Sequence, residues 1–229
     1  KEAKRKLHNI IAAYLGDPDY SQSAILLEQA FASADPAYIR QVCARILMSH
    51  ASTRERMPLL EDFYRRIFAV TGIPHTILDL ACGLHPFSFP WMNLSLSTHY
   101  HAYDIHQPRV DLINHYFALQ GLQPLAQVRD ILVEPPDVQA DAAFFFKEAH
   151  RFEKRRKGCN RDFWRAIQAR WLLVSLPTES LGTGHDLLAQ HRALVYRALE
   201  GEPWKVQEIM FTNEIVFCID KGMLAQTPG

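Results

Sequence analysis

With 229 residues, 48% of them hydrophobic and 22% charged, the chain is long enough for one large domain or a domain with an appendage, and apolar enough to bury a core. Its 25 Lys and Arg balance 25 Asp and Glu, which excludes a wholly basic nucleic-acid module but leaves room for a local basic face. No apolar run is long enough to span a bilayer, and the start Lys1-Glu2-Ala3-Lys4-Arg5-Lys6 does not read as a signal peptide. Cys43, Cys82, Cys159 and Cys218 are far apart and read as free thiols of a reducing cytoplasm. His99 and His101 share a strand face, but no carboxylate or cysteine stands at a ligand spacing, so no metal is expected.

Residues 1 to about 70 read as helical. Leu7, Ile10, Ile11, Tyr14 and Leu15 follow an amphipathic rhythm that Gly16 and Pro18 end. A second apolar patch covers Ile25 to Phe31. Asp35-Pro36 opens a third helix, with Asp as N-cap, and Tyr38, Ile39, Val42, Cys43, Ile46 and Leu47 form its buried stripe. Ser52 and Glu55 read as a capping box for a fourth helix, whose apolar face is Met57, Leu60, Phe63, Tyr64, Ile67 and Phe68.

From Pro74 the rhythm changes to short strands alternating with helices. The predicted strands are Thr76–Leu80, Tyr100–Tyr103, Ala126–Arg129, Ala142–Phe146 and Trp171–Ser175, with helices at Pro108–Leu119 and Arg161–Arg170. This alternation implies parallel strands joined by right-handed crossovers. After a helix at Leu187–Leu199, the runs Lys205–Phe211 and Glu214–Ile219 flank Thr212-Asn213, a hairpin that adds an antiparallel edge. Five parallel strands closed by a hairpin point to an α/β, seven-stranded methyltransferase sheet. The domains read as a helical segment 1–72 followed by the sheet domain 73–229.

Ile77-Leu78-Asp79-Leu80-Ala81-Cys82-Gly83 reads as a buried strand running into a turn stripped of side chains, where a ligand can approach bare backbone. Asp79, Asp104 and Asp130 fall at three successive strand ends. Carboxylates there face one crevice, where an acid after the second strand suits ribose hydroxyls and an acid after the third suits an adenine amine. Each Asp could equally cap a turn; three in register favour adenosine binding.

These pieces resemble a known family, the aminoglycoside-resistance 16S rRNA methyltransferases of the Arm/Rmt group. The matching residues are Arg5-Lys6-Leu7-His8 with Ala13-Tyr14, His50-Ala51-Ser52-Thr53 with Glu55-Arg56, and Asp79-Leu80-Ala81-Cys82-Gly83-Leu84 followed by Pro86. Asp104-Ile105-His106-Gln107, Lys147 with Glu153, and Pro177-Thr178 with Ser180-Leu181-Gly182 match as well. The resemblance implies a class I, Rossmann-like methyltransferase with an N-terminal helical domain that docks on the ribosome. It implies methylation of guanine N7, at guanine 1405 in the decoding helix of 16S rRNA on the small ribosomal subunit. S-adenosylmethionine would be the cofactor, S-adenosylhomocysteine the product, and aminoglycoside resistance the outcome. A cytoplasmic monomer with no membrane contact is expected.

The resemblance carries cofactor contacts onto Tyr14, His50, Ala51, Ser52, Arg56, Ala81, Asp104, Asp130, Ile131, Phe146 and Lys147; Asp79, Gly83 and Ile105 join them from the strand-end reading. Arg56 would clamp the methionyl carboxylate with its guanidinium fork. No catalytic base is expected, because guanine N7 already carries a lone pair and the sulfonium activates its own methyl. Lys4, Arg5 and Lys6, together with Lys154, Arg155, Arg156 and Lys157, are the expected RNA contacts. Phe87, Phe89 and Trp91, after the glycine turn, read first as core residues, with stacking on a base as the alternative.

Two departures stand out. The family carries further helical residues before the point matching Lys1. Its Pro-Thr is typically followed by a basic residue and then Ser-Leu-Gly-Gly-Arg, where this chain has Glu179 and Gly184 in place of the charges. Two other readings therefore stay open: a methyltransferase on another RNA or a small molecule, and a non-catalytic cofactor-binding homologue.

Overall fold

The alternation after Pro74 becomes, in the computed structural model, a seven-stranded sheet in the order β3-β2-β1-β4-β5-β7-β6. Residues 16–178 and 187–222 are described. The strands are β1 (Thr76–Leu80), β2 (His99–Asp104), β3 (Ala126–Val128), β4 (Ala140–Phe146), β5 (Ala169–Pro177), β6 (Lys205–Met210) and β7 (Glu214–Asp220). The first five run parallel, and β7 returns antiparallel between β5 and β6. The chain order reverses between β1 and β4, so their carboxyl ends open the crevice where such sheets bind ligands.

Alternating side chains feed two cores, as a sheet covered on both faces requires. Phe144 and Leu173 point to one face, and Phe145, Leu172 and Val174 to the other. The first face is covered by α1 (Tyr20–Ala32), α2 (Pro36–Ser49), α4 (Leu60–Thr71) and α5 (Gln107–Gln120), which contribute Leu27, Ile46, Phe63 and Ile113. The second is covered by α6 (Ala149–Arg155), α7 (Cys159–Ala166) and α8 (Leu188–Leu199), through Phe152, Trp164 and Val195. The change of rhythm near residue 72 falls inside one hydrophobic cluster, because the helices before it share a core with β1 and β4.

The structure corrects several local expectations. The Ser52–Glu55 capping box does not open the fourth helix. His50 caps a four-residue helix, α3 (Ala51–Arg54), by accepting the Ser52 amide at its Nδ1. A 3-10 turn, Met57–Leu59, follows, and α4 starts only at Leu60. Pro58 explains the break, since it has no amide hydrogen to continue the α-helical bonding from Ala51–Arg54. The helix expected to reach Arg170 stops at Ala166, because Ala169 already pairs with Ala140 in the sheet. Phe87 and Phe89 are buried in the core, the first of the two readings given for them, while Trp91 lies beneath the Arg40 guanidinium. The helix expected over Leu7–Leu15 lies outside the described residues.

Candidate active site

The turn after β1 is dominated by bare backbone. Ala81 and Gly83 take left-handed φ values of 53° and 55°. Cys82 donates its amide to the Tyr103 carbonyl at 2.8 Å, and Gly83 donates to Asp104 Oδ2 at 3.0 Å, which ties the turn to the tip of β2. At the end of β4, Lys147 also has a positive φ, 60°. Such backbone at a non-glycine residue costs about 1–3 kcal/mol and clusters at ligand sites. Here it ends two neighbouring strands.

The three strand-end acids have distinct partners. Asp79 is buried, and its Oδ2 accepts from His85 Nδ1 at 2.7 Å and from the Tyr100 hydroxyl at 2.8 Å. No donor reaches its Oδ1 among the described residues. Asp104 accepts from Gly83 N and Arg109 Nη1 on Oδ2, both at 3.0 Å, and from His106 N on Oδ1 at 2.9 Å. Of about four acceptor positions on a carboxylate, one is left, so the expected grip on both ribose hydroxyls narrows to a single bond. Asp130 is held by the fork of Arg155. Burial alone would raise its pKa, but the Arg155 bonds and charge hold it below the usual carboxylate range.

Arg56 already holds a carboxylate of the protein itself. It is buried against the rings of Phe63 and Phe146, with its guanidinium carbon 4.3 and 4.7 Å from their centroids. Its Nε and Nη2 both bond Glu214, the residue that opens β7, and Nη2 also reaches Ser175 Oγ at 3.4 Å. The Nε–Nη2 edge of the fork is thus taken by Glu214, while Nη1 bonds nothing among the described residues and Arg56 borders the cleft. Burial would raise the Glu214 pKa, yet the Arg56 and Lys147 charges bring it below its ordinary value. Lys147 bridges back to the helical side, giving Glu55 Oε2 a bond of 2.7 Å and the Ser52 carbonyl one of 3.3 Å. Glu55, read as half of a capping box, is therefore a lysine partner. Burial first, and then the nearby Arg109 and Arg151 charges, lower the His50 pKa, which is the direction that suits Nδ1 to accept the Ser52 amide.

Between these groups lies a narrow cleft of about 30 Å³, bordered by His50, Ser52, Arg56, Asp79, Ala81, Gly83, Phe146 and Lys147. It shares His50, Ser52 and Lys147 with a wider groove of about 730 Å³ that runs along α6 and α8. Five cations (Lys147, Arg151, Lys154, Lys157 and Arg197) line that groove against the carboxylates of Glu55 and Glu153. His150 and His191 stand within it, their rings 5.5 Å apart. Burial, with the Arg151 charge, pushes His150 down to about 3, so its ring is neutral.

The profile of the ribosomal RNA methyltransferase (FmrO) family matches residues 1–218. The chain belongs to that family. It is 31% identical over 224 residues to the 16S rRNA (guanine(1405)-N(7))-methyltransferase of Micromonospora echinospora, covering 96% of this chain and 82% of the relative. The enzyme of the same name from Proteus mirabilis is 24% identical, with 96% and 83% covered. Among solved structures, RmtF in complex with S-adenosylhomocysteine superposes with a TM-score of 0.81 at 27% identity, covering 96% of this chain and 82% of that one. RmtB, at 24% identity and a TM-score of 0.77, shares the fold. The sheet order is accordingly that of a class I, Rossmann-like methyltransferase.

The site of this methyltransferase fits S-adenosylmethionine. The acceptor on buried Asp79 Oδ1 suits an ammonium donor, and the side-chain-poor backbone at Ala81–Gly83 leaves room for close approach. Eight of the residues expected from the sequence border the one cleft, and Ala51 borders the groove beside it. Ile131 is buried in the second core, and Ile105 is 40% exposed beside Asp104. Of the basic run, Lys154 and Lys157 line the groove, Arg155 is turned to Asp130, and Arg156 is exposed on the surface. Tyr14, Lys4, Arg5, Lys6, Glu179 and Gly184 lie outside the described residues. The sequence reading missed His85, Glu148 and Glu214. Only Glu214 had a signal: it is a lone acid opening the apolar run Ile215–Ile219.

Proposed function

We propose that this methyltransferase moves the methyl group of S-adenosylmethionine to N7 of the guanine that its relatives are named for, 1405 of 16S rRNA, on the small ribosomal subunit, and so confers aminoglycoside resistance. The observation that carries the reading is the 31% identity to a guanine-1405 enzyme across 96% of the chain. The groove beside the cleft supports it. Cationic side chains that suit phosphates surround the His150 and His191 rings, flat surfaces that suit a base.

Bound S-adenosylmethionine supplies a methyl group activated by a sulfonium. Guanine N7 has its lone pair free, so no proton has to leave before attack. The residues of the chain then have three tasks. Asp79 and the Ala81–Gly83 backbone hold the cofactor, the groove cations hold the phosphates, and the strand ends keep donor and acceptor in line, since positioning can supply much of the acceleration. Residues 1–72 serve as the docking surface for rRNA, with Lys4, Arg5 and Lys6 among its contacts, and the chain acts as a monomer. Among the described residues, no helix is long and apolar enough to cross a membrane.

The test is primer extension across 16S rRNA from cells expressing the chain, after borohydride reduction and aniline cleavage. A new stop at guanine 1405, absent from vector controls, is expected. No stop in 16S rRNA, with label from the cofactor entering another RNA or a small molecule, overturns the assignment. The charge changes at Glu179 and Gly184 give that second reading its one specific support.

A further inference from the structure

Asp79 does not stand alone at the floor of the cleft. His85, on the 3-10 segment His85–Trp91, reaches Asp79 Oδ2 through Nδ1 at 2.7 Å, and its Nε2 meets the Tyr64 hydroxyl at 2.6 Å. Tyr64 lies on α4 and also contacts Ser88 Oγ at 2.5 Å, while Ser88 donates to the His85 carbonyl at 2.6 Å. All four side chains are buried, and the His85 ring packs edge-on against Phe144 and Phe146, with centroids 5.6 and 4.9 Å away. The imidazole thus has both nitrogens bonded and its ring packed against two phenylalanines, which fixes its orientation. Both donors to Asp79, His85 and Tyr100, bond the same oxygen, Oδ2. Oδ1 is left without a donor on a carboxylate that borders the cleft. An unpaired carboxylate oxygen at the edge of a cleft, on a side chain otherwise buried, favours a cationic donor strongly.

Resting on the cofactor reading above, we infer that His85, steadied by Tyr64 from α4, is a positioning residue that aims Asp79 Oδ1 at the α-ammonium of the cofactor's amino-acid tail. The chain from α4 to Asp79 makes recognition of that tail depend on the helical side of the molecule, whereas the nucleoside half relies on the turn and the strand ends. Loss of His85 therefore weakens ligands that carry the ammonium and spares a ligand that lacks it.

The test compares S-adenosylhomocysteine with 5′-methylthioadenosine, which keeps the nucleoside and sulfur but has no amino acid, by calorimetry on the full chain. His85→Leu is expected to weaken S-adenosylhomocysteine by about tenfold while leaving methylthioadenosine within about twofold. His85→Asn, which keeps an N–H donor for Asp79, restores most of the difference. Tyr64→Phe keeps its ring against Phe63 and Phe68 and shows the same selectivity at a smaller size, so it carries the comparison should His85→Leu not fold. Equal loss for both ligands, or unchanged S-adenosylhomocysteine binding in His85→Leu, overturns the inference and leaves the cofactor reading standing. Failure of the unaltered chain to bind either ligand overturns the cofactor reading itself.

Discussion

Arg155 sets its guanidinium fork on Asp130, with Nη1 3.0 Å from Oδ1 and Nη2 on Oδ2. One member of this pair reads from the sequence as an RNA contact and the other as an adenine acceptor. Joined, they remove one charge from the basic run and leave Lys154 and Lys157 to face the groove. Lys154→Ala with Lys157→Ala should therefore flatten the salt dependence of RNA binding, by about 0.7–0.9 in log–log slope for each phosphate that goes unneutralised. Arg155→Ala should leave the slope nearly unchanged. Filter binding to 16S rRNA fragments at several salt concentrations checks both, and a larger effect from Arg155 would sink the assignment.

Glu148 borders the cleft, and burial pushes its carboxyl up to about 7 from an ordinary 4.5, with Arg151 pulling the other way. Between those values the folded chain keeps a proton that the unfolded chain has released. The folded state thus binds more protons in that window, and stability falls as pH rises from about 4.5 to about 7, by at most about 3 kcal/mol. Above about 7 this contribution levels off. Glu148→Gln removes the titration, so urea midpoints of the variant minus those of the parent should rise across the window. A difference flat in pH would refute the expectation.

Glu214 is the shared counter-charge of Arg56 and Lys147. Glu214→Gln leaves a buried guanidinium without its ion pair, a loss of about 3–5 kcal/mol for such pairs. Glu55→Gln removes a more exposed partner of Lys147 and should cost less than half as much. Urea unfolding of both variants gives the comparison, and similar losses would contradict the ranking.

A cleft of about 30 Å³ holds little more than a water, so the cofactor needs it wider. The wall built from His50 to Arg56 is the part suited to move, because it consists of a four-residue helix and a turn, whereas the opposite wall is the parallel sheet. Amide hydrogen exchange with and without S-adenosylhomocysteine should change most at Ala51–Arg56 and hardly at all in α7. A response confined to α7 would place the ligand elsewhere.

The sheet was legible because each strand is a short apolar run bounded by turn residues, and because only two residues, Thr212 and Asn213, separate the last two runs. The strand-end acids were legible as positions for the same reason. Their partners were not. Asp79 depends on Tyr100, His85 and, through it, Tyr64, while Arg56 meets a glutamate 158 residues away. No local pattern links such pairs; only the packing of α4 and the hairpin onto the strand ends brings them together. The capping box misled for a related reason. Ser52 and Glu55 have the right spacing, but Lys147 competes for the acid, and Pro58 breaks the helix that the box would have opened.

The distance in sequence between Arg56 and Glu214 has a further consequence for how the chain is made. During synthesis the guanidinium emerges long before its carboxylate. Until the last hairpin has been translated, a cation that the finished protein hides against Phe63 and Phe146 has no Glu214 to accompany it out of water. The nascent chain can therefore assemble its parallel strands early, but the floor beneath the cleft closes only with β7. Premature release before that strand should yield a species with a formed sheet core and a cleft whose floor is still open.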